Sequence, residues 1–204
     1  MYVLIEDGNI TKYFQNPKGF TLNDNQYPAS IFSKWSKEEK EAIGIYEVVI
    51  DNTNYKDPAY YNNTNEQYSF ANNVATKSWG TATAKRLNDE NAVDEDGNNL
   101  LDDDGNQVIN YGLKTEKKRI VKQQASGLLA PTDWYVVKAS EITNYSVPSN
   151  ITTFRADVRT KSNEMETMIN NCTTVDELKA LYEYTTQEDG TITRPLPEFP
   201  KEVI

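Results

Sequence analysis

The chain has 204 residues, no histidine, a single cysteine (Cys172) and 31 acidic against 21 basic side chains, for a formal charge of −10. One cysteine excludes an intramolecular disulfide, and the missing imidazole excludes Ser-His-Asp and Cys-His nucleophile systems, a histidine general base and histidine-ligated zinc. The acidic balance makes the chain a poor general binder of nucleic acid, whose phosphates demand clustered Lys and Arg.

Hydrophobic residues make up 37% of the chain, below the usual share of about 45–50%, although that share also counts Gly. A modest core and much hydrated or interfacial surface are expected. The charge is concentrated: residues 88–110 hold eight acids and no Lys or Arg, so the remaining chain carries 23 acids against the same 21 bases. The first residues, MYVLIEDGNITKYF, lack a basic leader and their apolar run ends at Ile5. Neither a signal peptide nor a membrane span is expected to begin there, and synthesis in a cytoplasm is expected to follow.

In chain order, Tyr2–Ile5 and Ile10–Phe14 read as two strands around an Asp7-Gly8 turn, because Asp-Gly supplies the positive φ that tight hairpins need. Residues 15–32, with Pro17, Gly19 and Pro28, read as loop. Ser36-Lys37-Glu38-Glu39 is a capping box that opens a short helix, Gly44 is its stop, and Ile45–Ile50 is a strand. That order predicts a small mixed sheet with one covering helix. Between Asp51 and Ala84, Ser69–Ala75 and Ser78–Ala84 suit strands joined near Lys77.

Asp94-Glu-Asp-Gly-Asn-Asn-Leu-Leu is echoed eight residues later by Asp102-Asp-Asp-Gly-Asn-Gln-Val-Ile, a pattern of consecutive hairpins. Two readings stay open for it, hydrated turns or a Ca²⁺ site. The register favours turns, since taking Gly97 or Gly105 as the sixth residue of a calcium loop places Ala92 or Leu100 where its first Asp belongs. Paired carboxylates also run glycoside hydrolysis without histidine, but nothing in this polar stretch desolvates one acid to raise its pKa.

Residues 114–129 form a predicted helix, ended by Gly127 and Pro131, with Lys117, Lys118, Arg119 and Lys122 on its surface. That basic set reads as a solvated face or, less simply, as a contact for phosphate or for the acidic segment. The spacing of Ile151, Phe154, Val158, Met165 and Met168 predicts a long helix over 149–171, interrupted by Lys161 on the apolar side. Its stripe is either a core face or a seam between subunits. Thr174-Val175-Asp176-Glu177 caps a further helix, Asp189-Gly190 turns the chain, and the Pro-rich end RPLPEFP is expected to be extended and to order on a partner. Cys172 reads as an inert packing thiol.

Leu128-Leu129-Ala130-Pro131-Thr132-Asp133-Trp134, followed by Val147-Pro148, Ile151, Phe154-Arg155 and Val158-Arg159, resembles the phage tail assembly chaperone-like domain found at the C-termini of many phage tail proteins. In that family two helices flank a Thr-Asp-Trp turn, and the second opens after a proline with an aromatic-Arg pair and a further Arg four residues on. Phe154 stands where Tyr is commoner. Asp133 or Thr132 suits the capping of backbone donors, and Trp134 is expected to be buried beneath Phe154 and the Arg155 guanidinium. The N-terminal hairpin, Tyr27-Pro28 and the Gly44–Val48 strand entry likewise look like the opening of many phage tail-fibre and virion proteins.

The expected fold class is α+β: a β-rich docking portion over 1–112 with one short helix, a helical hairpin-type portion over 113–183, and an extended tail over 184–204. The resemblance implies a structural protein of a phage tail, made in the host cytoplasm and resident in the virion, a fibre or fibre-attachment subunit that docks to other tail proteins. It also implies a homo-oligomer, a trimer or hexamer, with no nucleic-acid partner and no membrane insertion. Thr132, Asp133, Trp134, Phe154, Arg155, Val158 and Arg159 are the expected interface residues; no catalytic residue, metal or cofactor is expected. The alternatives are a tail-assembly chaperone absent from the virion and, further off, a carbohydrate-cleaving tail enzyme.

Overall fold

A computed structural model describes residues 1–201. The chain is α+β, and it divides into two compact units, residues 1–83 and residue 84 onward. The sequence placed the change of character near residue 112, where helix begins; the acidic segment 88–110 falls within the second unit.

In the first unit, β1 (Tyr2–Glu6) and β2 (Asn9–Phe14) form the antiparallel hairpin expected around Asp7-Gly8, both at positive φ. Residues 15–32 are more ordered than a loop. They contain the hairpin of β3 (Phe20–Leu22) and β4 (Asn25–Tyr27) and a one-turn helix α1 (Ile31–Lys34). The hairpin turns on Asn23-Asp24, with φ of 48° and 63°, the left-handed pair that Asn and Asp tolerate best after Gly. Phe20, Ile31 and Phe32 join Leu4, Phe14 and Ile45 in the core, with ring centroids 4.9 Å apart for Phe14–Phe20 and 5.1 Å for Phe14–Phe32. Burial of these rings stabilises the unit by roughly 1.5–3 kcal/mol each.

Helix α2 (Lys37–Glu41) starts with the capping box, Ser36 Oγ accepting from Glu39 N and Glu39 accepting from Ser36 N at 2.7 Å. Gly44 follows at φ 80°, and a Cβ there would meet Ile5 O at 2.6 Å. Gly44→Ala therefore combines a left-handed backbone with a backbone clash and is expected to destabilise the chain by about 1–3 kcal/mol, measured by urea unfolding. Strand β5 (Ile45–Ile50) then pairs antiparallel with β1.

Beyond β6 (Tyr61–Asn62), β7 (Gln67–Ala71) and β8 (Val74–Ser78) form a hairpin, and β8 runs parallel to β5. Its turn is Asn72-Asn73, both at positive φ, and not Lys77. Lys77 lies within β8 opposite Tyr68 and Ile50, so the predicted strand limits are shifted by several residues. The sheet order is β2-β1-β5-β8-β7, and the sheet curls far enough for Tyr13 of β2 to meet Tyr68 of β7 edge-on at 5.0 Å. The short β9 (Thr83–Ala84) follows.

The second unit begins with β10 (Glu90–Asn91), paired to β11 (Ile109–Asn110). Between them the octapeptide repeat makes two hairpin turns, bridged at Val93–Asn99 and Leu101–Gln107, with Gly97 and Gly105 at φ 84° and 81°. The three arms meet in a cyclic set of hydrogen bonds: Leu100 N donates to Ala92 O, Val108 N to Leu100 O, and Ala92 N to Val108 O, all at 2.8–2.9 Å. The eight-residue period thus has a structural cause, since it returns the chain to one hub after each arm. Gln107 Nε2 lies over the same three carbonyls at 2.8–3.2 Å.

Asp89 ties this segment to the next helix, accepting from Gly112 N and Thr115 Oγ1, each at 2.8 Å. Helix α3 (Leu113–Leu129) runs through Gly127, which costs roughly 1 kcal/mol relative to Ala but does not break it. A 3₁₀ turn over Ala130–Thr132 leads into α4 (Asp133–Glu141), and after Pro148 comes α5 (Ser149–Asn171), with the predicted limits.

Helix α5 packs against α3, and its buried side includes Ile151, Phe154, Val158, Ser162, Met165 and Ile169. The apolar stripe passes through Ser162 instead of Lys161 and through Ile169 instead of Met168. Lys161 sits beside the stripe and pairs with Glu164 at 2.7 Å. Cys172 closes the helix, buried, and desolvation pushes its thiol above the usual range.

Helix α6 (Val175–Ala180) has its capping box, Thr174 with Glu177. The strands β12 (Thr185–Thr186) and β13 (Ile192–Thr193) form a hairpin around Gly190. The Pro-rich segment then packs on its own unit without a partner. Leu196 is 2% exposed and donates its N–H to Leu181 O at 3.0 Å, and Phe199 lies on the Ala125, Phe154 and Val158 cluster. The part of the expected extended tail beyond Lys201 lies outside the described residues. Among the described residues no helix is long and apolar enough to cross a membrane.

Candidate functional site: the α3–α4 corner and its cleft

The motif residues Thr132, Asp133, Arg155, Phe154, Val158 and Arg159 come together where α3 turns into α4 across α5. Thr132, fully buried, donates from Oγ1 to Leu129 O at 2.8 Å. Arg155, only 8% exposed although charged, reaches the corner with three bonds. Its Nη1 donates to Thr132 Oγ1 at 2.6 Å and to Leu129 O at 3.0 Å, and its Nη2 pairs with Asp133 Oδ1 at 2.8 Å. A helix end leaves carbonyls without partners, and here a guanidinium fork supplies the donors. Phe154 and Val158, on the same helix face, fill the apolar space beside Ala125.

Trp134 departs from the expected placement. It lies on the first turn of α4, 51% exposed, tilted against Tyr135 with ring centroids 3.9 Å apart, and the Arg155 fork is directed to Thr132 and Asp133 instead. Buried Thr132 and Arg155 use the space under the corner for polar contacts, which leaves the indole outside.

Helix α4 has no buried residue at all. Trp134 and Val137, three positions apart and therefore on one face, are 51% and 52% exposed, and Lys138, one turn after Trp134, holds its ammonium over the Trp134 and Tyr145 rings at 5.5 and 4.4 Å. Val136 and Ile142 are exposed as well. The sequence carried a signal for this helix that the turn reading passed over: Asp133 in the first turn, no Gly or Pro until Pro148, and Asn144 at positive φ beyond the end.

The basic set on α3 is largely engaged locally. Lys117 lies 4.7 Å from the Tyr182 ring, Arg119 pairs with Glu116 at 2.9 Å and Lys122 with Glu166 at 3.4 Å. The two acidic turns are likewise self-contained. Asp94 Oδ1 accepts from the backbone N–H groups of Asp96 and Asn98, and Asp102 Oδ1 from those of Asp104 and Asn106, at 2.8–3.0 Å.

The Asn98 and Asn106 backbone donors hold the Asp94 and Asp102 carboxyls below the ordinary aspartate range. A lowered folded-state pKa adds stability that is present above the unfolded value of about 3.9 and is lost as pH falls through the folded one. Asp94→Asn with Asp102→Asn is therefore expected to flatten the acid limb of a stability-versus-pH curve, read by circular dichroism melts below about pH 4.

Fold and site together describe an α+β protein with a hydrogen-bonded corner that presents an exposed apolar helix. Compared with protein-family models, with curated proteins and with solved structures, the chain matches none.

Proposed function

We propose that this protein is a structural component of a bacteriophage tail, a fibre or fibre-attachment subunit that works by docking to other tail proteins and to copies of itself, without catalysis. The observation that carries the docking role is α4: a helix with no buried residue that exposes Trp134 and Val137 on one face while Arg155 pins its first turn. Large apolar side chains exposed on a fixed helix are the usual core of a protein interface, and an aromatic one contributes contact area at little entropic cost. The Thr132-Asp133-Trp134 and Phe154-Arg155 motifs support the phage assignment.

Two measurements test this reading. In sedimentation the isolated chain is expected to form a trimer or hexamer, and Val137→Asp is expected to disperse it into folded monomers with an unchanged circular-dichroism spectrum. In purified virions the chain is expected at a fixed stoichiometry. A monomer that is absent from virions overturns the structural role and leaves the second reading, a cytoplasmic chaperone that uses the same helix face during tail assembly.

A further inference from the structure

Between α3 and α5, beside the start of α4, lies a cleft of about 410 Å³. Its apolar floor is Ala125 and Leu129. Ser126, Ser162 and Asn163 supply hydroxyl and amide groups, and Lys122, Asp133 and Arg159 stand on its rim.

The charges around the cleft do not balance. Lys122 is matched by Glu166 at 3.4 Å and Asp133 by Arg155 at 2.8 Å. Among the described residues nothing of opposite sign matches Arg159, whose Nη1 donates to Arg155 O at 3.4 Å. Its helical neighbours three and four positions away are Arg155, Ala156, Ser162 and Asn163, so no carboxylate on α5 is spaced to reach it. Elsewhere in the same unit the local pattern is the reverse, with Arg119 facing Glu116, Lys161 facing Glu164 and Arg194 facing Glu198. In a chain with ten more acids than bases, one guanidinium left over at the mouth of a cleft marks the charge of what the cleft receives.

The remaining chemistry narrows the ligand. A single uncompensated cation suits a monoanion, and the carboxylates of Asp133 and Glu166 nearby repel a dianion such as phosphate. A guanidinium fork presents two parallel donors to a carboxylate, and the Ala125–Leu129 floor accepts an aliphatic neighbour of that carboxylate. We propose that this cleft binds an Asp or Glu side chain, flanked by an aliphatic residue, on a partner protein, with Arg159 as the recognising group. The proposal deepens the docking reading and rests on it, because α4, the exposed helix, begins at the cleft's edge with Asp133.

The test titrates the full chain, followed by amide NMR, with N-acetyl-Leu-Asp-Leu-amide and with its Asn counterpart. Shifts are expected at Ser126, Ser162, Asn163 and the Arg159 Nε–H, with the Asp peptide binding about tenfold more tightly than the Asn peptide. Arg159 is exposed, so Arg159→Gln is expected to fold with an unchanged melting temperature and to abolish the tenfold preference. Arg119→Gln, on α3 and paired with Glu116, is expected to leave it intact. Equal response to the two peptides, shifts that map away from the cleft, or an unaltered preference in Arg159→Gln overturns the proposal. Sodium acetate shifting the same resonances at the same concentrations overturns the protein source of the ligand. Loss of the chain from virions, with the Asp preference retained, removes the tail role and leaves the cleft standing; the converse removes only the cleft.

Discussion

Arg155→Ala is expected to destabilise the second unit by about 2–4 kcal/mol, seen as a shift in the midpoint of its urea transition with little change in slope. The magnitude does not come from the Arg155–Asp133 ion pair as such. The Asp133 side chain is 60% exposed, and an ion pair with one partner in water contributes about 1 kcal/mol or less. The larger loss lies at Leu129 O and Thr132 Oγ1, which together receive the Nη1 donor at 3.0 and 2.6 Å, the first part-buried and the second fully buried. Thr132 keeps its own bond to Leu129 O, so the buried groups lose one donor and the packing of a long side chain, not every partner. Two companion variants separate the contributions. Asp133→Asn is expected to cost under about 1 kcal/mol. Arg155→Lys is expected to recover less than half of the loss, because an ammonium is a point donor and cannot span Thr132 and Asp133 as a fork does. A full recovery by Lys would mean that charge alone holds the corner.

Elements with local chemical causes were legible before any coordinates. Both capping boxes, the Asp7-Gly8 hairpin, the stop at Gly44 and the limits of α5 follow from contacts between residues a few positions apart. What was missed turned on the left-handed tolerance of Asn without Gly. Asn23-Asp24 and Asn72-Asn73 close hairpins as Asn-Gly would, and overlooking them turned 15–32 into loop and shifted the β7–β8 turn toward Lys77. The spacing of the octapeptide was legible, but the hub that explains it was not, since the bonds joining residues 92, 100 and 108 are tertiary. At the corner, the motif residues meet, but one of them stands apart from the rest. Thr132, Arg155, Phe154 and Val158 are buried together, while Trp134, expected beneath Phe154 and the Arg155 guanidinium, is outside because that guanidinium is directed to Thr132 and Asp133. The cleft at Arg159 left only a faint trace in sequence, an arginine with no acid three or four positions away.

Phe154→Ala is expected to cost about 3–5 kcal/mol, because the ring is 3% exposed and its removal leaves a cavity walled by Ala125 and Val158. The variant also decides where the Pro-rich end of the chain rests. Phe199 lies against the same cluster from a segment with no helix or strand, half-buried, so Phe199→Ala alone is expected to cost only about 1–2 kcal/mol. If the two rings share one core, the double variant loses less than the sum of the singles, with a coupling of about 0.5–2 kcal/mol. Additive losses would mean that Phe199 leaves the cluster in solution, and the segment around Leu196 would then be free to meet another protein. The coupling therefore separates two arrangements of a docking protein: one in which its end is part of the core that supports α5, and one in which that end is itself a docking segment.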